Sequence, residues 1–178
     1  VLYFSDNGPN TARRTGGMKG IKGTTDEGGV RSPLFVRWPG RIAPGTLVRP
    51  IAGAIDLSPT LHALAGVKRV GDKPQDGRDL SPLLRTGLDA DWAPRHLFQT
   101  WGSNISVRTE THRLDAAGNL FDMLADPGQT TPVQDKQAAL AKELRDEVAA
   151  WRKEMGIAAP AGGKGKGKVA NGPGNAVD

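Results

Sequence analysis

The dipeptide Asp6-Asn7 follows the apolar run from Val1 to Phe4 and precedes Gly8-Pro9. A short run with a β-branched residue and aromatic residues predicts a buried strand, which the Gly-Pro pair stops. Ligands of open α/β sheets gather beyond the carboxyl ends of strands. A carboxylate oxygen and an amide oxygen could together bind a hard cation there. Asp6 and Asn7 are therefore candidate metal ligands, although Asp and Asn also favour ordinary turns.

A glycine-rich segment follows this dipeptide, and several short motifs come after it in a defined order. The segment reads Lys-Gly-Thr-Thr-Asp-Glu-Gly-Gly-Val-Arg from Lys22 to Arg31. The later motifs are Ile55-Asp56-Leu57-Ser58-Pro59-Thr60-Leu61, Leu64-Ala65-Gly66, Asp76-Gly77, Leu80-Ser81-Pro82-Leu83-Leu84, Leu120-Phe121-Asp122 and Asp126-Pro127-Gly128. Each motif alone is weak, and their order and spacing make the pattern specific. With these motifs the chain resembles the sulfatase family as far as about Met155.

The resemblance implies an enzyme that hydrolyses sulfate esters, with a small-molecule or saccharide sulfate ester as substrate. In the family, the residues that match Asp6 and Asn7 bind one active-site Ca²⁺, and the lysine that matches Lys22 contacts the sulfate. A fixed cationic group stabilises the charge that grows on the outer oxygens during transfer, and a lysine ammonium is a compact point charge. Lys19 is the nearest rival, and the Gly-Thr-Thr context favours Lys22 over it. The alternative for Lys22 is a solvated surface lysine.

The chain departs from the family at the nucleophile. Family members make a formylglycine from the first residue of a Cys/Ser-x-Pro-x-Arg motif. The chain contains no cysteine, and Ser32-Pro33, Ser58-Pro59 and Ser81-Pro82 have the wrong spacing. Asp6 and Asn7 also provide only two of the roughly six to eight oxygens that Ca²⁺ requires. We therefore expect a C-terminal part of a sulfatase that is inactive alone, with the formylglycine and the remaining calcium ligands upstream.

Two other functions fit the same residues. One is a phosphate or phosphonate ester hydrolase of the same superfamily, because an Asp-Asn metal site and a positive pocket suit both kinds of anion. The other is a non-catalytic binding domain that retains the sulfatase frame. The upstream nucleophile would decide between them.

Positive charge is concentrated near the candidate site. Residues 11–49 contain eight Lys or Arg and two acidic residues, whereas the whole chain has a net charge of +5. A field of this sign attracts an anionic substrate. The charges are spaced among glycines and prolines rather than along one helix face, so we expect no nucleic-acid partner. No apolar run is long enough to predict a membrane span. The residues indicate neither oligomeric state nor compartment, and the family implies an exported, periplasmic or secreted protein.

The elements that must position these residues form two units and a tail. The resemblance implies an α/β fold, in which residues 1–90 are the C-terminal portion of an alkaline-phosphatase/sulfatase-like sheet with flanking helices. Within it, Ser58-Pro59 predicts a helix start and Gly66 its end. A short helix is expected near Leu80 to Leu84. We predict that residues 91–157 are a small antiparallel sheet covered by a C-terminal helix, and that residues 158–178 are a disordered Gly/Lys tail.

Turn-forming residues separate the short strands that this small sheet requires. The expected strands are Leu97 to Trp101, Ile105 to Arg108, His112 to Asp115 and Leu120 to Asp122. The helix that follows has one apolar stripe, formed by Leu140, Leu144, Val148, Trp151 and Met155. An amphipathic helix ordinarily packs its apolar face on its own core, so packing on the sheet is favoured over a partner protein.

Overall fold

In the computed structural model, residues 1–87 and 92–159 are described, and they form two antiparallel sheets with helices around them. The fold class predicted from the sequence is confirmed, because the chain combines α-helices and short strands and ends its described part with a long helix. The predicted boundary between residues 90 and 91, and residues 160–178 of the predicted tail, lie outside the described residues.

The first sheet has two strands, β1 (Leu2–Phe4) and β2 (Leu34–Val36), paired antiparallel with Tyr3 opposite Phe35. The prediction of a buried first strand is wrong for the described residues, since Tyr3 is 61% exposed and Phe35 65% exposed. The two strands pair only with each other in this part of the chain, and no further strand of the described residues extends the sheet. The rings of Tyr3 and Phe35 contact one another at 6.2 Å between centroids.

Between these strands the chain makes a 3₁₀ turn at Ala12–Arg14 and a short helix α1 (Glu27–Val30). After β2 come a 3₁₀ turn at Ala54–Asp56 and helices α2 (Leu57–Ala65) and α3 (Ser81–Thr86). Gly66 ends α2 with a φ of 66°, as predicted. Three leucines of the Leu80–Leu84 motif form a small core, which Val36, Ile42, Val48, Leu64 and Trp92 complete.

The predicted helix start at Ser58 is wrong, because Asp56 occupies the N-cap position of α2. The Asp56 carboxylate is fully buried and does not cap the helix. It accepts hydrogen bonds from the Gly53 amide at 2.8 Å, the Arg78 amide at 2.7 Å and the Arg95 guanidinium at 2.7 Å. Burying a carboxylate is costly unless it is paired, and here three donors from separate parts of the chain compensate for that cost. Asp56 therefore joins the start of α2 to residues 78 and 95.

The second sheet is a four-stranded antiparallel meander. Its strands are β3 (Leu97–Trp101), β4 (Asn104–Arg108), β5 (His112–Leu114) and β6 (Leu120–Asp122), in that spatial order. All four lie where the turn residues predicted them, within one residue at either end. Because side chains alternate across a strand, the sheet has two faces of different composition.

One face of this sheet is apolar and packs against α4 (Ala138–Glu154). Val107, Leu114 and Leu120 form a core with Ala141 and Leu144. The predicted stripe of α4 is confirmed, with one exception. Met155 is 48% exposed, because the helix ends at Glu154 and Met155 is its C-cap.

The opposite face, which we call the back face, presents Ser106, Arg113 and Phe121. All three side chains are buried. Residues 19–31, which include the short helix α1 and which we call the Lys22 segment, cover them. This contact brings the small sheet against the glycine-rich motif of the first half of the chain.

Candidate functional site

The Asp6-Asn7 dipeptide lies in the bend that follows β1. Asp6 is exposed and Asn7 is half-buried. Ser5 Oγ donates a hydrogen bond to the Asn7 carbonyl at 3.1 Å, which fixes the backbone of the bend. Within residues 1–87 and 92–159, the side chains of Asp6 and Asn7 have no hydrogen-bond or ion-pair partner. Both oxygen donors thus remain available to a ligand.

Gly8 and Pro9 place this bend directly against the Lys22 segment. The Gly8 amide donates to the Gly29 carbonyl at 2.9 Å, and the Lys22 amide donates to the Pro9 carbonyl at 3.0 Å. A Cβ atom on Gly8 would lie 2.0 Å from the Gly28 carbonyl oxygen, a distance at which the backbones must separate. Only a glycine allows this approach, so the structure brings the backbone of the predicted metal ligands beside that of the predicted sulfate-binding lysine.

The loop that presents Lys22 is tightly turned. Gly20 and Gly23 flank Lys22 with φ values of 87° and 88°, a region that other residues rarely adopt. Thr24 closes the turn, since its amide and its hydroxyl both donate to the Ile21 carbonyl, at 3.0 and 2.9 Å. The Lys22 side chain is exposed, and its ammonium has no partner in the part of the chain that the structure describes.

Lys19, the rival of Lys22, is already paired. Its Nζ lies 3.0 Å from Asp115 Oδ2 and 3.3 Å from Asp26 Oδ1, and it sits over the Phe121 ring at 5.2 Å from the centroid. Burial lowers the pKa of the Lys19 ammonium, but the hydrogen bond to Asp115 and the charges of Asp26 and Asp115 outweigh it and raise that pKa overall. Lys19 thus joins the Lys22 segment to the back face of the small sheet.

A buried ionic cluster centred on Glu27 was not predicted from the sequence. Arg113 approaches Glu27 Oε2 with Nη2 at 2.8 Å and Nε at 3.2 Å, and Arg108 Nε lies 3.4 Å from the same oxygen. Arg31 Nη1 lies 3.4 Å from Oε1. Burial lowers the pKa of the Arg113 guanidinium, and the Glu27 carboxylate opposes that change. The only sequence signal was the Asp26-Glu27 pair inside a strongly basic segment.

Gln129 adds a second contact to the same place. Its side-chain oxygen accepts from the Glu27 amide at 2.8 Å, and its side-chain nitrogen donates to Asp26 Oδ1 at 3.1 Å. Its φ of 53° is the only positive value for a non-glycine residue in the described part of the chain. Such a conformation costs energy and persists where surrounding contacts impose it. The unusual backbone of Gln129 thus accompanies two side-chain hydrogen bonds to Asp26 and Glu27, at the start of α1.

Asn7 also lines an open cleft of about 1440 Å³ between the first half of the chain and the small sheet. Several charged residues line the same cleft: Arg14, Glu27, Arg31, Arg49, Arg108, Glu110 and Arg113. Three of these arginines, Arg31, Arg108 and Arg113, are paired with Glu27. With five arginines and two glutamates the cleft carries a net positive charge, which attracts an anion.

The described residues hold no group of three or more His, Cys, Asp or Glu side chains placed to bind a metal ion. The donor set at Asp6 and Asn7, one carboxylate and one amide oxygen, suits a hard cation but fills only part of its shell. Among the described residues, no helix is both long and apolar enough to cross a membrane.

Comparison with known proteins gives a consistent result. The sulfatase family model matches residues 1–67. Arylsulfatase A from Bos taurus is 48% identical over 186 residues, which cover 83% of this chain and 36% of that protein. Steryl-sulfatase from Mus musculus is 42% identical over 95 residues, which cover 48% of this chain and 15% of that protein.

Solved structures share the fold. The PsFucS1 sulfatase from Pseudoalteromonas sp. superimposes with a TM-score of 0.65 at 22% identity, over 89% of this chain and 38% of that one. A protein solved in complex with its substrate D-glucosamine-2-N,6-O-disulfate superimposes with a TM-score of 0.55 at 26% identity, over 73% of this chain and 30% of that one. The chain thus spans about a third of the bovine relative and of both structures.

Proposed function

Because the chain belongs to the sulfatase family, we propose that it takes part in the hydrolysis of sulfate esters, within a sulfuric ester hydrolase of the arylsulfatase type. One observation supports this most directly. The bend with Asp6 and Asn7 and the loop with Lys22 are hydrogen-bonded to each other through their backbones. The side-chain oxygens of Asp6 and Asn7 and the ammonium of Lys22 therefore belong to two adjoining loops of the described chain. A site that binds a cation and an oxyanion together requires such an arrangement.

We propose that Asp6 and Asn7 are two ligands of one Ca²⁺. Both side chains offer oxygen atoms, which are the ligands that Ca²⁺ prefers. When bound, the ion supplies positive charge that stabilises the sulfate oxygens. The remaining ligands lie, in this proposal, outside residues 1–178.

Lys22 is the residue that contacts the sulfate group in this proposal. Its ammonium is exposed on a loop fixed at both sides, whereas that of Lys19 is neutralised by two carboxylates. A positive charge held next to the sulfate binds the substrate and stabilises the charge that grows on the outer sulfate oxygens during transfer. Lys22 forms no covalent bond in this role.

The nucleophile is proposed to be a formylglycine that lies outside this chain, since the sequence holds no Cys/Ser-x-Pro-x-Arg motif. Residues 1–178 alone are then expected to turn over no aryl sulfate. We propose a small-molecule or saccharide sulfate ester as the substrate and an exported location for the protein.

Two variants of the complete protein separate the proposed roles. Asp6→Ala removes a carboxylate from the metal shell and should weaken calcium binding in a calorimetric titration. Lys22→Ala should leave calcium affinity unchanged and lower the turnover of nitrophenyl sulfate about a hundredfold to a thousandfold, the range for loss of one stabilising group in a transition state. Unchanged calcium affinity in the Asp6 variant would refute the ligand assignment.

Lys142→Ala is the matched control, because Lys142 is an exposed lysine on α4 with a partner on its own helix. It should change neither calcium affinity nor turnover. Nitrophenyl phosphate, tested in parallel, addresses the alternative of a phosphate ester hydrolase. Faster hydrolysis of the phosphate than of the sulfate by the complete protein would favour that alternative. Hydrolysis of neither ester would favour a non-catalytic binding domain.

A further inference from the structure

The Lys22 segment has little structure of its own. Its only regular element is α1, which has four residues. A loop of this kind needs contacts from elsewhere to hold a side chain in one place. The back face of the small sheet supplies them, through Arg113, Ser106, Asp115 and Phe121.

Arg113 makes the largest number of these contacts. Its Nη1 donates to the Thr25 carbonyl at 2.8 Å, three residues from Lys22. Its Nε and Nη2 both reach Glu27 Oε2, at 3.2 and 2.8 Å. The Ser106 hydroxyl donates to the same Thr25 carbonyl at 2.7 Å and accepts from Arg113 Nη1 at 2.9 Å. A planar guanidinium with several fixed donors thus holds both Thr25 and Glu27.

The two ends of the Lys22 loop are therefore fixed from different sides. The Lys22 amide is bound to Pro9, next to the Asp6-Asn7 bend. Thr25 is bound to Arg113 of the small sheet. Movement of Thr25 would pass directly to Lys22, because only Gly23 and Thr24 lie between them.

We propose that Arg113 is a positioning residue for Lys22, and that the back face of the small sheet sets where the Lys22 ammonium stands relative to the sulfate. This inference rests on the proposed function for its catalytic consequence. Arg113 itself is only 2% exposed, and its donors are occupied by Thr25, Glu27, Ser106 and Gln99, so it acts through the loop and not on the substrate.

A double-mutant cycle in the complete protein tests this proposal. Arg113→Gln should lower kcat for nitrophenyl sulfate about tenfold to a hundredfold, the effect of a misplaced group of about 1 Å. Calcium affinity should be unchanged. In a Lys22→Ala background the same substitution should lower kcat less than about twofold, because residues that act through one another are not additive.

Arg95→Gln is the matched control. It also removes a buried guanidinium from a carboxylate, Asp56, but it has no contact with the Lys22 segment. It should lower Tm without changing kcat at a temperature where the protein is folded, in either background. Arg113→Lys, which keeps one charged donor for Glu27, should restore part of kcat and serves in the cycle if the Gln variant does not fold.

Amide hydrogen exchange gives a readout that does not depend on activity. Arg113→Gln should accelerate exchange at Lys22 and Thr24, whose amides are bonded to Pro9 and Ile21, while Arg95→Gln should not. An equal loss of kcat in the wild-type and Lys22→Ala backgrounds, or unchanged exchange at these two amides, would overturn the positioning role. If the complete protein hydrolyses no sulfate ester, the proposed function fails, and the exchange result alone decides whether Arg113 holds the loop.

Discussion

Gly8 is the residue on which the contact between the two halves of the candidate site depends. The φ of Gly8 is not positive, so glycine is needed at this position only because a larger residue would not fit. Gly8→Ala places a methyl group 2.0 Å from the Gly28 carbonyl oxygen. We expect a loss of about 1–3 kcal/mol in the free energy of unfolding, as for other overpacked sites, together with weaker calcium binding.

Gly53→Ala is the control for that substitution. A Cβ atom on Gly53 would meet Ile55 and Leu97 at 3.6 Å or more, which is ordinary contact. Its stability should change by less than about 0.5 kcal/mol. Urea unfolding of both variants makes the comparison. Equal stability of the two would mean that the bend can separate from α1 without cost.

Lys19 provides a second prediction for a single side chain. Lys19→Met leaves the buried Asp115 carboxylate without its cationic partner. We expect the free energy of unfolding to fall by about 1 kcal/mol, a modest change because the Lys19 side chain is partly exposed. Lys142→Met removes a solvent-exposed pair with Asp146 and should leave Tm unchanged. Thermal unfolding compares them. A Tm for Lys19→Met equal to wild type would show that the pair does not stabilise the fold.

Asp6, Asn7 and Lys22 could be selected from the sequence because their neighbours form recognisable motifs. Glu27 and Arg113 could not. Their ion pair joins residues 86 positions apart, and no local pattern specifies which arginine folds back onto which carboxylate. The alternation of side chains along the strands predicts that Arg113 shares a face of the sheet with Ser106 and Phe121. It does not predict which segment covers that face. The choice of Lys22 over Lys19, by contrast, depended on the Gly-Thr-Thr context and stays a prediction.

The loop after β6 is the element whose stability should respond to acid. The amides of Ala125 and Leu124 lower the pKa of Asp122. Those of Thr131 and Thr130 lower the pKa of Asp126. A carboxyl whose pKa is lower in the folded than in the unfolded protein stabilises the fold above its ordinary value, near 3.8. That contribution is lost as the pH falls through the folded pKa.

Asp126→Asn should therefore flatten the fall of Tm below about pH 5, where a carboxyl with a lowered pKa takes up its proton. The exposed Asp135 is the control position, since Asp135→Asn removes a carboxylate that has no hydrogen-bond partner among the described residues. Calorimetric scans at several pH values measure the slope. An unchanged slope for Asp126→Asn would contradict the role of this turn.

Helix α4 gives a test of packing. Leu144 is fully buried against β4, β5 and β6. Leu144→Ala should therefore lower the free energy of unfolding by about 2–5 kcal/mol. Met155 follows the last turn and is half exposed, so Met155→Ala should cost less than about 0.5 kcal/mol. Urea midpoints of the two variants measure this difference, and similar midpoints would contradict the assigned boundary at Glu154.

Secondary structure was predictable where turn residues and apolar spacing agree. The four strands of the small sheet and the stripe of α4 are of this kind. The start of α2 was misassigned because Ser58 and Pro59 are good helix-start residues, while the buried bonds of Asp56 to Arg78 and Arg95 come from parts of the chain that a local pattern cannot include. The exposure of β1 was missed because an apolar run indicates that a strand forms, not which layer covers it.

At the scale of the whole molecule, the small sheet and the first half of the chain should unfold together. Arg113 to Glu27, Lys19 to Asp115 and Gln129 to Asp26 connect them. We expect one urea transition, with coincident curves from far-UV circular dichroism and tryptophan fluorescence. Arg113→Gln should separate the two curves, whereas Arg95→Gln should shift both together. Two transitions in the wild-type chain would mean that the ionic cluster does not couple the two parts.

Tyr3 is the only tyrosine of the chain. Its exposed ring lies on the two-stranded ribbon of β1 and β2, against Phe35 and a few residues before Asp6. A protein labelled with ¹³C-tyrosine would therefore give a single set of ring resonances, and that set would report on any surface that closes over the ribbon. The chain thus has an intrinsic probe near its proposed metal site, which isotope labelling makes visible without any substitution in the sequence.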